Sequence, residues 1–141
     1  MGELKERESG KKREETSGMR EIKAGGEELN GLGAILKQVM EETIQVPGTW
    51  KTIRRLQGTL VVREAESQVA VHIEFHRGEI QIQNGSVDRP TAYVEGGFEE
   101  LSAISSGQVG PIRALLGKKI RAGGNLWKLL RMSKVIINRK P

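Results

Sequence analysis

The chain has 141 residues, a formal net charge of +5, 36% apolar residues and no cysteine. That length is one domain, with or without a tail, and the missing cysteine excludes a disulfide framework and thiolate metal sites. Two Trp, one Tyr and two Phe are too few to build a platform that stacks single-stranded bases, so no nucleic acid partner is expected.

Residues 1–26 read as a disordered charged tail and residues 27–141 as the folded domain. Residues 1–28 hold seven Lys/Arg, eight Asp/Glu and almost no large apolar side chain, so they cannot offset the entropy of ordering. The functional expectation for the tail is an arm that binds a protein partner. The positive excess therefore lies in the folded part, where it suits transient contact with an anionic membrane. The start of the chain has charges but no apolar core of a secretory signal, no apolar run approaches a membrane span of ~18 residues, and Asn138-Arg139-Lys140-Pro141 matches no peroxisomal or prenyl signal. The cytoplasm is the expected compartment.

From Glu27, the positions Leu29, Leu32, Ile35, Leu36, Val39, Met40 and Ile44 follow the three-and-four spacing of one helix face. Glu27 and Glu28 suit its positive end, and Pro47 disfavours helical geometry at Val46. Trp50, Ile53 and Leu56 then repeat every three residues, which predicts a short second helix stopped by Gly58.

Strand patterns follow. Leu60 and Val62 share one face. Val69, Val71, Ile73 and Phe75 alternate with Ala70, His72, Glu74 and His76, which places the second set on the face away from the core. Arg77-Gly78 turns the chain, Ile80 and Ile82 alternate with polar residues, and Asn84-Gly85-Ser86 is a second turn. Thr91–Val94 and Lys119–Ala122 read as a fourth and a fifth strand. The first three form an antiparallel meander with one apolar face, which only the helices at both ends can cover.

The last helices are short and punctuated. Phe98, Leu101 and Ile104 line one side of the first, which ends at Gly107. Pro111 suits the first turn of the next, whose inner side is Ile112, Leu115 and Leu116 before Gly117. Asn125 caps the last helix, with Leu126, Leu129 and Leu130 inside and Lys128 and Arg131 outside. The fold class is α+β: a five-stranded, mostly antiparallel sheet with helices on one face.

The run Gly107, Pro111, Ala114, Gly117-Lys118, then Gly124-Asn125 and an amphipathic Leu/Met helix resembles the C-terminal half of the sterol-carrier-protein type-2 family. Upstream, a helix, then Leu56-Gln57-Gly58-Thr59 leading into three short strands, then a strand containing Thr91, fits the same family over about residues 28–138. The resemblance implies a hydrophobic tunnel between sheet and helices. It also implies non-enzymatic binding and transfer of a small apolar lipid: fatty acid, acyl-CoA, sterol or isoprenoid. Some bacterial relatives are accessory factors in quinone biosynthesis, which makes an accessory or scaffold role in lipid or quinone synthesis the alternative. One departure is Leu126-Trp127-Lys128 after the Gly-Asn pair, where the family has smaller residues. Trp127 would narrow the tunnel mouth or sit at a membrane interface, which favours a thin chain over a sterol.

The expected lipid-binding residues on the strands and the first of these helices are Phe75, Ile82, Phe98, Leu101 and Ile104. On the last two helices they are Ile112, Leu115, Leu116, Leu126, Trp127, Leu129 and Leu130. Arg113, Lys118, Lys119 and Arg121 are the expected contacts to an anionic head group or membrane surface. At about 0.8 kcal/mol per buried methylene, a sixteen-carbon chain would gain roughly 10 kcal/mol before ordering costs.

Two other constellations are weaker. His72, Glu74 and His76 point the same way on one strand, but no fourth ligand accompanies them, so no metal is expected. Gly96-Gly97 precedes a helix whose first amides are free to hold an anion. No Ser/His/Asp order, phosphate-cradling loop or paired-carboxylate signature is present. The chain is read as a binder without catalytic residues or cofactor.

Overall fold

Alternation along the strands builds one wide sheet, and the helices cover its apolar face. The computed structural model describes residues 22–24 and 28–136. The strands are β1 (Ile22–Ala24), β2 (Gln57–Glu64), β3 (Ala70–His76), β4 (Glu79–Asn84), β5 (Ala92–Gly96) and β6 (Ile120–Gly124). The helices are α1 (Gly31–Thr43), α2 (Thr49–Ile53), α3 (Phe98–Ser105), α4 (Pro111–Leu116) and α5 (Leu126–Ile136). The sheet order is β1-β4-β3-β2-β5-β6. The meander β2-β3-β4 and the pair β5-β6 are antiparallel, while β2-β5 and β1-β4 are parallel.

The five expected strands are all present, and β1 is a sixth, at the edge. Ile22–Ala24 was expected to belong to the disordered tail. Ile22 instead pairs with Ile80 and is buried: one β-branched residue finds the apolar end of β4, which is enough for a three-residue edge strand. The rest of the expected tail lies outside the described residues.

Register defines the two faces. Ile82, Ile73, Leu60 and Ala92 form one row and Val71, Val62, Val94 and Ala122 the next. These inner rows carry the core together with Leu36, Met40, Leu129, Met132 and Val135 from the helices. The outer face carries Arg63, Glu74, Gln81, Gln83, Tyr93 and Arg121. His72, expected in solvent on this face, is only 7% exposed. It sits on an inner strand between Gln83 and Val61, and its Nδ1 lies 2.9 Å from the carbonyl oxygen of Gly85. Val69 moves the other way: it precedes β3 and is exposed rather than core.

Helix α1 starts later than its periodicity suggests. Asn30 caps it, its Oδ1 accepting from the Gly33 amide at 2.8 Å, and its Nδ2 donates to the Ala70 carbonyl at 3.1 Å. The cap thus fixes the helix to β3, and Glu28 falls outside the first turn, while Glu27 lies outside the described residues. Ile35, expected on the inner face, is exposed. Helix α2 ends at Ile53, so Gly58 is not its stop: it lies in β2 with φ +138°. At the end of α4, Gly117 has φ −81° and Lys118 takes the left-handed conformation at φ +58°. The glycine stop is therefore displaced by one residue.

One junction holds the cover to the sheet. The Thr91 Oγ1 accepts from the Thr59 amide at 3.0 Å, and its carbonyl accepts from the Asn125 amide at 2.8 Å. Gly124, at φ +85°, lies against the same residue: a Cβ there would stand 2.5 Å from the Thr91 carbonyl oxygen. The start of β2, the start of β5 and the entrance to α5 thus meet at Thr91.

Candidate functional site

Between the inner face and the helices α1, α3, α4 and α5 lies a cavity of about 70 Å³. Val62, Val94, Ile120 and Ala122 form its floor, from β2, β5 and β6. Leu36 of α1, Leu101, Ile104 and Ser105 of α3, Leu115 of α4 and Leu129, Leu130, Ser133 and Ile136 of α5 form the rest. The Ser133 hydroxyl donates to the Leu130 carbonyl at 2.8 Å, so its hydrogen is spent within its own helix. What remains facing the cavity is almost wholly hydrocarbon, a surface that an apolar group can cover without losing hydrogen bonds.

The walls are thin in two places. Leu130 lines the cavity and is 37% exposed, so one side chain separates cavity from solvent there. Ile104 lines both the cavity and an open hollow of about 360 Å³ between α3 and α4. That hollow has an apolar base of Ala103, Val109 and Ala114 and a polar rim of Glu99, Glu100, Gln108 and Lys119.

The expected lining residues divide three ways. Leu101, Ile104, Leu115, Leu129 and Leu130 come together around the cavity. Phe75 and Ile82 are buried in the core beneath α1 and do not face it. Phe98, Leu116, Leu126 and Trp127 are exposed, with Leu116 at 78% and Trp127 at 79%. Trp127 therefore does not narrow the cavity; the start of α5 turns it outward. The side chain of Ile112 lies outside the described residues. Strand residues Val62, Val94, Ile120 and Ala122 were missed because apolar alternation marks a face, not the part of that face left uncovered.

Among the expected cations, Arg113, Lys118 and Lys119 are exposed on and after α4, with Lys119 at the rim of the hollow. Arg121 is on the opposite side of the sheet. Its neighbours Ile120 and Ala122 point to the cavity, so alternation sends Arg121 outward, where it pairs with Glu95. Gln68 is the first cause holding the Glu95 carboxyl below the usual range, with the Arg121 charge adding to it against the cost of burial.

Glu64 holds the β2–β3 turn. Its carboxylate accepts from the Ser67 amide at 2.8 Å, the Ser67 hydroxyl at 2.7 Å and the Glu66 amide at 3.1 Å. These bonds, the Ser67 amide first, hold its carboxyl below the ordinary glutamate value, and the Phe98 amide at the start of α3 contributes in the same direction. The Ala65 amide of the same turn donates to the Gly96 carbonyl at 2.9 Å, which ties the β2–β3 turn to the end of β5 just before α3. At the start of α3, where the Gly96-Gly97 reading places an anion, the Glu100 side chain folds back against Gly97. Among the described residues, no group of three His, Cys, Asp or Glu is placed to hold a metal ion.

The geometry has counterparts among known proteins. The sequence pattern of the SCP-2 sterol transfer family matches residues 36–136. Among solved structures, a UbiJ-SCP2 ubiquinone synthesis protein aligns with TM-score 0.61 at 10% identity, covering 73% of this chain and 90% of its own. Palmitated SCP2L2 from Aedes aegypti aligns at 0.58 and 18% identity, covering 77% and 98%. The sec-alkylsulfatase Pisa1 from Pseudomonas sp. aligns at 0.62 and 12% identity over 79% of this chain but only 17% of its own. No protein of curated function matches the sequence. The family match spans more than half of the chain: the chain belongs to the SCP-2 sterol transfer family.

Proposed function

We propose that this member of the SCP-2 sterol transfer family binds the apolar chain of a lipid in the cavity under α5 and carries or presents it without chemistry. The observation that carries the reading is the cavity itself: hydrocarbon walls, two serines, and thin cover at Leu130 and Ile104. The cavity's size bears on the ligand. About 70 Å³ holds roughly five water-sized groups. Five methylenes gain about 4 kcal/mol, well short of a sixteen-carbon chain. A space of this size thus seats only the end of a chain. A longer one fits when α4 and α5 move outward or when the chain leaves through the thin wall. A rigid fused-ring sterol has no such option, which favours an alkyl or isoprenoid chain. The palmitated relative is consistent with a chain of that kind.

The test is titration of delipidated protein with a fluorescent fatty acid. The expected result is saturable one-to-one binding that unlabelled long-chain lipid displaces. No binding across fatty acids, acyl-CoA, sterols and quinones overturns the proposal. The likeness to a ubiquinone synthesis protein is compatible with a second reading, an accessory role in making an isoprenoid quinone in the cytoplasm, through a protein partner held by the N-terminal segment. Pull-downs with and without residues 1–21 separate that reading from a carrier that works alone.

A further inference from the structure

Helix α5 has two working faces. Leu129, Met132, Ser133 and Ile136 turn inward. At 100° per residue, Trp127, Leu130, Arg131 and Lys134 then fall together on the outside, with Leu126 at the edge. All five are exposed. An outer face of a helix in water normally carries polar residues throughout; here a Trp and two Leu occupy half of it.

The charge on the part of the chain that carries this stripe has one sign. No Asp or Glu follows Glu100 in the chain, whereas Arg113, Lys118, Lys119, Arg121, Lys128, Arg131 and Lys134 all do. Arg121 is neutralised by Glu95 on the far side of the sheet, and the Lys128 ammonium donates to the Gln57 carbonyl at 3.3 Å. Leu115 of α4 and Leu130 of α5 line the same cavity, and Leu116, next in sequence, is outside that wall and open to solvent. Apolar side chains flanked by cations are what an anionic lipid surface takes up: Trp and Leu enter the head-group region, and Lys and Arg stay with the phosphates. A nucleic acid would use the cations and leave the apolar stripe in water.

We infer that the outer face of α5, through Trp127, Leu126 and Leu130 with Arg131 and Lys134, docks on an anionic lipid surface and brings the thin wall at Leu130 against it. This rests on the cavity being the lipid site, since Leu130 belongs to both.

The experiment is co-sedimentation of the full chain with vesicles of phosphatidylcholine alone or mixed with phosphatidylserine, at low and high salt. The expected result is binding to the mixed vesicles only, weakened by salt, and reduced about tenfold or more both by Trp127→Ala and by Arg131→Gln with Lys134→Gln. The double charge variant should still take up fluorescent fatty acid in the absence of vesicles as the parent does, and Ala122→Leu, placed inside the cavity, should still sediment. Equal binding to both vesicle types, no binding, or no effect of Trp127→Ala overturns the docking surface while leaving uptake to be judged separately. So does a Trp127-dependent dimer in analytical ultracentrifugation, or salt-sensitive binding to duplex DNA that Trp127→Ala leaves unchanged.

Discussion

Ala122→Leu tests whether the cavity is both empty and functional. Ala122 lies on β6 opposite Val94, with its methyl on the inner face. The substitution adds three carbon atoms to a space of about 70 Å³. An unfilled cavity of that size costs about 1.7 kcal/mol at ~24 cal/mol per Å³. Three carbons that fill most of it should return roughly 1–1.5 kcal/mol, and for a chain of this length that raises Tm by about 3–7 °C. The same carbons occupy the position a lipid chain would take, so fatty-acid uptake should fall at least about tenfold, the equivalent of one or two lost methylene contacts plus the clash. Differential scanning calorimetry of delipidated protein and the fluorescent titration read the two effects. A stabilised variant that binds lipid as before would refute the cavity as the lipid site. A variant destabilised by more than about 1 kcal/mol would mean that the space is already filled to its shape, and the proposed ligand position would fall with it.

Ile104→Ala removes the wall between the cavity and the open hollow. It should cost about 2–4 kcal/mol in urea denaturation and shift uptake towards longer chains; unchanged chain-length preference would show that chains do not pass there. Gly124→Ala combines a positive φ with a Cβ only 2.5 Å from the Thr91 carbonyl oxygen. It should destabilise by roughly 2–4 kcal/mol, and wild-type thermal stability would remove Thr91 as the junction. Glu64 and Glu95 both titrate below the ordinary glutamate value of 4.5. A depressed folded pKa means that their contribution is fully present above that value and is lost as pH falls through the lower folded pKa. In acid unfolding followed by circular dichroism, Glu64→Gln should be less stable than the parent at neutral pH and converge with it in acid. Parallel curves would show that the Ser67 and Glu66 contacts do not stabilise the carboxylate.

The layout of the fold was legible in the sequence because strand alternation and helix punctuation are strong local signals. The meander, the strands at Thr91–Val94 and Lys119–Ala122, and the helical cover follow from them or from the family resemblance; the parallel pairing of β5 with β2 does not, because it joins distant segments. The motifs that carried the resemblance, Gly58-Thr59, Thr91 and Gly124-Asn125, turn out to be one contact. They are far apart in the chain and share no local pattern, so no reading of spacing alone brings them together. Errors cluster at ends. Asn30 rather than Glu27 starts α1 because a side-chain cap bonded to β3 outweighs a favourable charge. Lys118 rather than Gly117 takes the left-handed turn. Ile22 joins the sheet by pairing with Ile80, more than fifty residues away, so no local signal marks it.

The lining was half legible for a different reason. Helical period gives the angular spread of apolar residues but not the direction of the core when that spread is wide. In α5, Leu126, Trp127, Leu129, Leu130 and Met132 span most of the circumference, and only packing against β5, β6 and α1 decides which of them face in. Leu129 and Met132 do; Leu126 and Trp127 do not, and Leu130 is at the boundary. A helix that only had to roof a sheet would gain nothing from the exposed members, since each leaves apolar area in water at about 25 cal/mol per Å². A helix that must hold a chain on one side and meet a lipid surface on the other recovers that cost on docking. The boundary residue then lies where the chain would cross from one environment to the other. Leu130→Ser acts on both demands at once. It removes one apolar member of the docking face and polarises the thin wall, so vesicle docking should weaken without being lost, because Trp127, Arg131 and Lys134 remain, while release of a bound fluorescent fatty acid from the docked protein changes in rate. An unchanged transfer rate would show that the chain crosses elsewhere, with Ile104 the remaining thin point.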